Sequence, residues 1–237
     1  MTPTIARNGS LVRAIPEAVE CAATNLVAQQ NPRGWWCAEL TADTTLESDY
    51  ILLQLWMHPP VGGVWNPPTK PLIEKAAQSI LARQLADGGF NIYQCGPTEI
   101  SATVKAYTAL KLAGLEADDE RLARSRECIL ERGGIQAANS YVKINLSLFG
   151  LYPHEHVPSI PPELILMGDF IYRMSSWTRA IAISLAIVQS HDPQRQVPSG
   201  FSLEELFLSG VSPAFRRDDH WLCWRNLFLG IDRLVKF

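Results

Sequence analysis

Few groups in this 237-residue chain are spaced as chemistry requires. The densest carboxylates are Glu116, Asp118, Asp119 and Glu120 in "EADDE", and the tightest histidine pair is His154 and His156 in "HEH". The acidic string reads as a short polar link at a helix start, where dipole and cap favour carboxylates without any catalytic role. Two histidines two apart in a loop, without further ligands, make a weak metal site; His58, His191 and His220 also fall in loops beside prolines or charges. Cys21, Cys37, Cys95, Cys128 and Cys223 form no CxxC pair and are odd in number. Neither zinc spacing nor a disulfide framework is therefore expected, and a reducing compartment is the simplest setting. The net charge of −3 and a pI near 6.0 leave no basic surplus for nucleic acid.

A second kind of pattern is structural. "LVAQQNPRGWW" carries Gln29 and Gln30, then Gly34, Trp35 and Trp36; "SILARQLADGGF" carries Gln84, then Gly88, Gly89 and Phe90. "CILERGGIQ" is a weaker echo on Gly133 and Gly134. Glycine closes the last helical turn in the left-handed conformation. A glutamine before it and an aromatic after it exceed what a plain stop needs. The expected role is a staple: the Gln amide bonds backbone groups at the next helix end and the aromatic stacks over it.

These turns must sit between helices. Apolar spacing predicts helices over 10–31, 44–57, 72–86 and 101–113, with "MHPPVGGVWNPPTKP" as a connection that cannot be helical. Further helices are expected after Asp118 or Asp119, in "NSYVKINLSLFG", after the prolines of "PPELILMG", from Ser175 or Ser176 through "SSWTRAIAISLAIVQSH", in "SLEELFLSG" and over 218–237. Strand signals are nearly absent. Helices of about 12–16 residues repeating roughly every 45–50 residues describe stacked helix pairs, an all-α solenoid or α/α barrel. No stretch reaches the roughly 18–20 uncharged apolar residues of a spanning helix, and no basic start with an apolar run marks a secretory signal.

The final segment, "WLCWRNLFLGIDRLVKF", is amphipathic. At about 100° per residue, Trp221, Cys223, Trp224, Leu227, Phe228, Ile231, Leu234 and Val235 share one side. Arg225, Asp232 and Lys236 gather opposite, with Arg233 at their flank, while Leu222, Leu229 and Phe237 stray from the apolar arc. Such a helix either lies at a membrane interface, with Trp221, Trp224 and Phe228 among the headgroups, or docks its apolar face on another domain.

With Gln, Gly and an aromatic at successive helix ends, the chain resembles the triterpene cyclases, whose QW motif has this form. "GWWCAELTADTTLESDYILL", "DGGFNIYQCGPTEISATVKAYTALKLAGL", "RGGIQAANSYVKINLSLFGLYP", "VPSIPPELILMG" and "SSWTRAIAISLAIV" resemble, in order and content, the N-terminal part of squalene–hopene cyclases. The resemblance covers most of residues 15–237. It implies an α/α barrel over 33–215, the barrel inserted into a second one in that family. It further implies an N-terminal helix (1–32) that packs on the catalytic barrel and a membrane-contacting helix over 216–237. The family's chains are far longer, and this sequence corresponds to roughly their first third.

Family members protonate a terminal alkene of squalene with the middle Asp of an Asp-x-Asp-Asp motif, a metal-free reaction that uses no cofactor. "EADD" is the nearest string here, with Glu116 in place of the first Asp, so the acid is expected outside this chain. The resemblance assigns Trp177 to the substrate cavity, where an indole face stabilises a carbocation. It places Asp49 near the water that ends the reaction and Tyr141 among the cavity aromatics. Periodicity alone makes Trp177 a core residue and Asp49 a polar residue on the outer side of α-helical spacing. Lys105 and Asn139 stand where the family carries an acidic and a basic residue, and Asn145 replaces an aromatic, so the product is not implied. The expected partners are squalene or a related isoprenoid, a C-terminal cyclase barrel supplied in trans, a membrane surface on its cytoplasmic side as a peripheral, monotopic protein, and a second copy of the chain. The alternative is a non-catalytic isoprenoid-binding or membrane-associated scaffold derived from the barrel. A protein prenyltransferase fails for lack of zinc-ligand spacing.

Overall fold

The computed structural model describes residues 8–37, 43–166, 168–191, 193–214 and 223–235. All regular structure among them is helical, apart from one isolated bridge between Val61 and Val64. The chain forms two compact units, Met1–Thr41 and Ala42–Phe237.

The first unit is a helix and its closing turn. Helix α1 runs Asn8–Ala28 with Pro16 inside it. Ile15, Val19, Leu26 and Val27 recur at helical spacing and are all exposed. After Ala28 the chain reverses at Gly34, whose φ of 88° is the left-handed conformation. Gln30 Nε2 donates to Gly34 O at 2.9 Å, and Trp36 Nε1 donates to Leu26 O at 2.6 Å. Trp35 and Trp36 stay about half exposed. The turn is therefore braced on its own helix, through hydrogen bonds and not through a buried aromatic.

The second unit is built on helix pairs: α2 (Thr45–Met57) with α3 (Lys70–Leu81), and α4 (Ile100–Leu112) with α5 (Glu120–Glu131). Helix α6 (Ser140–Ser147) follows, then α7 (Ser176–Ser190) and α8 (Trp224–Val235). Helix α4 is the centre, packed against α2, α3, α5 and α6. Ala102, Ala106 and Ala109 keep its girth small, so neighbours approach closely. Its polar residues are met locally: Thr108 Oγ1 donates to Val104 O, and Thr103 Oγ1 donates to Glu99 O while accepting from Phe90 N.

The corner after α3 carries the second glutamine turn. Helix α3 ends at Leu81, five residues before the expected Ala86, because the next amides tighten onto carbonyls three residues back. That leaves Gln84 in the turn. Its Nε2 lies 3.1 Å from Gly88 O, repeating the Gln30–Gly34 geometry, and also 2.8 Å from Arg121 O and 2.9 Å from Ser125 Oγ on α5. Phe90 is not stacked outside as a lid: its ring is wholly buried in the core. Gly88 is obligatory twice over, at φ 83° and with space for a Cβ only 2.6 Å from the Arg124 backbone.

Two expected helices are shorter elements. "PPELILMG" and its continuation form 3₁₀ segments over Pro162–Leu166 and Gly168–Arg173, and "SLEELFLSG" holds a single 3₁₀ turn at Glu204–Leu206. That turn lies across α5 as part of a strap. Leu203 and Leu206 are buried, Tyr107 OH donates to Glu205 Oε1 at 2.9 Å, and Lys111 Nζ pairs with the same oxygen. Gln136 Nε2 donates to Leu208 O and Val211 O, while Tyr152 OH donates to Pro213 O and its ring stacks on Phe207. The third turn thus has its glutamine two residues after Gly134, holding the strap.

Candidate functional site

The first turns of α2, α4 and α6 meet at a cleft of about 190 Å³. Thr45 comes from α2, Ser101, Ala102 and Lys105 from α4, and Tyr141 and Val142 from α6. Two of these helix starts are capped. The Glu99 carboxylate accepts from Ala102 N at 2.7 Å, and the Asn139 side chain accepts from Val142 N at 3.0 Å. Asn139 N in turn donates to Ser101 Oγ, which ties the α6 start to α4. The α2 start differs: Thr44 makes no capping bond and its Oγ1 is buried without a partner, while Thr45 N donates to the Asp43 carboxylate at 3.0 Å.

Lys105 is the cationic side chain at this cleft, which Glu99 also lines. Its side chain is 9% exposed, against 40% for Asp49 across from it on α2. The Nζ atom lies 2.8 Å from Asp49 Oδ1 and donates to Oδ2 at 2.9 Å. Asp49 is therefore the counter-ion of a buried lysine while its own side chain stays partly open to solvent. Tyr141, 47% exposed, lines the same cleft as Lys105, whereas Asp49 is not part of its lining and is tied to it only through the ion pair with Lys105. Ser101 and Glu99 carried no signal in the sequence beyond the capping grammar of a helix start.

Trp177 stands apart. It is the second residue of α7, after the Ser175 cap that accepts from Thr178 N, and it is 76% exposed. It does not line the cleft, and it is not the core residue its periodicity suggests. Tyr172 nearby in sequence is also exposed, with the Arg179 guanidinium 5.7 Å over its ring. A wider groove of about 560 Å³ lies elsewhere, between the 61–65 turn, the α4–α5 link and residues 198–201; it includes Glu116 of the acidic string but none of Asp49, Tyr141 and Trp177.

The acidic string is occupied structurally. Asp119 caps α5 by accepting from Arg121 N, and its carboxylate is gripped by the Arg121 side chain at 2.9 and 2.7 Å. That hydrogen bonding to Arg121 lowers its pKa to about 2. Among the described residues no group of three or more His, Cys, Asp or Glu could hold a metal ion.

On α8, Leu227 and Ile231 are exposed one turn apart. Asp232, on another side, accepts from Ser159 N at 2.7 Å and Ser159 Oγ at 2.8 Å. The same loop is clamped from α7, where Gln189 accepts from Ile160 N and donates to Pro158 O. Trp221 lies outside the described residues, as do the side chains of Trp224 and Phe228. Among the described residues no helix is long and apolar enough to cross a membrane.

Helix pairs cornered by Gln–Gly turns, with no strand among the described residues, define an all-α barrel-type domain. The family profile described as squalene-hopene cyclase N-terminal domain matches residues 19–237, and the chain belongs to that family. It is similar to squalene–hopene cyclase of Zymomonas mobilis, 33% identical over 92% of this chain and 32% of the relative. It is likewise similar to squalene–hopene cyclase of Alicyclobacillus acidocaldarius, 32% identical over 86% of this chain and 31% of the relative. A probable squalene–hopene cyclase of Sinorhizobium fredii is 32% identical over 94% of this chain and 34% of its own length. The chain thus spans about a third of the length of the curated relatives it matches.

Proposed function

We propose that the chain supplies part of the wall of a cavity in which a squalene-type isoprenoid is cyclised by protonation to a hopanoid-type product, the proton donor being carried on a separate barrel. The observation that carries this reading is α7, a long apolar helix of which only Ala186 is buried and on which Trp177 is 76% exposed. An exposed indole face is what a passing carbocation needs, and Tyr141 offers a second ring beside the polar cleft. The reading puts the acid elsewhere because the nearest string here, "EADD", has Glu116 in place of the first Asp of Asp-x-Asp-Asp, and its Asp119 is engaged as the α5 cap in the grip of Arg121. Protonating an alkene needs a shielded carboxylic acid kept in its protonated form.

The same reading makes α8 the contact with a membrane surface, on its cytoplasmic face and without spanning. Asp232 anchors one side of the helix to the body while Leu227 and Ile231 are left exposed. It also makes α1 a docking element, since Ile15, Val19, Leu26 and Val27 are all exposed on it.

The test is squalene added to the purified chain in detergent, read by melting temperature and by gas chromatography of the lipid extract. Squalene is expected to raise the melting temperature, less so in Trp177→Ala, and no cyclised triterpene should form. Product should appear once a chain bearing Asp-x-Asp-Asp is added. Cyclised product from the chain alone would overturn the placement of the acid, and a melting temperature indifferent to squalene would overturn the cavity.

A further inference from the structure

The string "VPSIPP" sets Pro158, Pro161 and Pro162 around Ser159 and Ile160. Each proline fixes its own φ and confines the residue before it to extended backbone, so the loop is stiff. Two helices grip it. From α7, the Gln189 amide takes both ends of the loop: its Oε1 accepts from Ile160 N at 3.0 Å and its Nε2 donates to Pro158 O at 2.7 Å. From α8, Asp232 Oδ1 accepts from Ser159 N at 2.7 Å and from Ser159 Oγ at 2.8 Å. Four bonds thus fall on three consecutive residues, and the pair made to the Asp232 carboxylate is charge-assisted. Apolar cover does little for α7, which buries Ala186 and packs chiefly on the 3₁₀ segment 162–166 that continues this loop. Apolar contact has no direction, whereas hydrogen bonds fix angle and register.

Resting on the membrane reading of α8 above, we propose that the 158–160 loop is a strut that couples α8 to α7, with Gln189 as the positioning residue on the α7 side. A load placed on α8 by a lipid surface reaches Ser159 through Asp232, and the proline-bracketed loop resists bending. The load passes to Gln189, at the C-terminal end of α7, and so to the helix that carries Trp177. Seating α8 on lipid suppresses the local openings in which α7 parts from the loop. The coupling is reciprocal: whatever steadies α7 also strengthens the seating of α8.

The experiment is amide hydrogen exchange on the unaltered 237-residue chain, with and without vesicles of phosphatidylethanolamine and phosphatidylglycerol, beside flotation to measure vesicle binding. Vesicles are expected to slow exchange in the C-terminal half of α7 by about tenfold or more. Gln189→Met removes both bonds on the α7 side; it should still float with the vesicles and lose that slowing. Ser159→Ala, which deletes a single bond on the α8 side, should lose part of it and serves if Gln189→Met fails to fold. The comparison on the unaltered chain needs neither variant. A chain that floats without any slowing in α7 would overturn the strut and leave the membrane reading standing. So would slowing that survives Gln189→Met, since α7 would then be touching lipid itself. A chain that does not float would overturn both.

Discussion

Helices α4 and α7 are of similar length, each begins at a side-chain cap, and each is written mainly in Ala, Ile, Leu, Val, Ser and Thr. Yet α4 buries eleven of its thirteen residues and α7 one of its fifteen. Composition therefore does not decide which is core. What separates them is company: α4 is enclosed by α2, α3, α5 and α6, whereas α7 packs chiefly on the 3₁₀ segment at 162–166. An apolar helix with so little cover stores an unspent driving force of roughly 25 cal/mol per Å² of apolar surface still in water. In this chain that force is available for a ligand or another domain, which is why the functional reading rests on α7 and the stability on α4.

The sharpest break of this contrast is a matched truncation. Leu110→Ala, at a wholly buried position of α4, should lower the unfolding free energy by about 2–5 kcal/mol in urea titration. Should Leu110→Ala and Ile187→Ala cost the same, the division into core and uncovered helix is wrong. Next in size is the corner glycine. Gly88→Ala must adopt a left-handed φ and push into the α5 backbone, a cost of roughly 2–4 kcal/mol. Gly34→Ala, with its nearest neighbour 4.0 Å away at the Gln30 amide, should pay only the conformational part, about 1–2 kcal/mol. Equal losses in the two variants would mean that the Gln84 corner is not wedged against α5.

Acid should act on the enclosed region alone. Burial pushes the Asp87 carboxyl up, but the Thr98 hydroxyl, the Gly89 amide and the Arg132 charge outweigh it and hold the pKa below the usual 3.8. Glu205 is likewise held below 4.5, burial being outweighed by its bonds from Lys111 and Tyr107. A carboxylate with a depressed folded-state pKa stabilises fully above its unfolded value, and that contribution disappears as pH falls through the folded one. Unfolding free energy should thus be level above about pH 5 and fall below about pH 4, with Asp87 contributing well under about 1 kcal/mol because it is partly solvated. Thr98→Val should flatten that fall, and a denaturant series across pH 3–6 would expose an unchanged slope. The smallest effect on stability belongs to α7 itself. Trp177→Ala should shift unfolding by no more than about 0.5 kcal/mol while diminishing the response to squalene, and a large loss of stability would return Trp177 to the core.

Much of this was legible because helix ends are written locally. Glycine at Gly34, Gly88, Gly114, Gly133 and Gly150 takes positive φ in the turns between or after the helices, and the caps Asp119, Asn139 and Ser175 lie where a capping residue precedes an apolar run. Gln84 was recognisable as a brace because Gln30 offered the same spacing to a glycine. Gln136 was not, since it follows its glycines and its partners, Leu208 and Val211, lie more than seventy residues ahead. The cleft was legible only in part: Asp49 and Tyr141 came from resemblance, but the pairing of Asp49 with a buried Lys105 joins two helices through residues 56 apart in sequence. Spacing along one helix carries no information about what stands opposite it.

The strap over α4 and α5 has a consequence in time. Tyr107 must wait for Glu205, 98 residues later in the chain. At a synthesis rate of roughly 5–20 residues per second, that delay is about 5–20 s. Throughout it the apolar surface destined for Leu203 and Leu206 has no cover on the nascent chain, so the interval before the strap arrives is when this protein is most exposed to capture by chaperones or to aggregation.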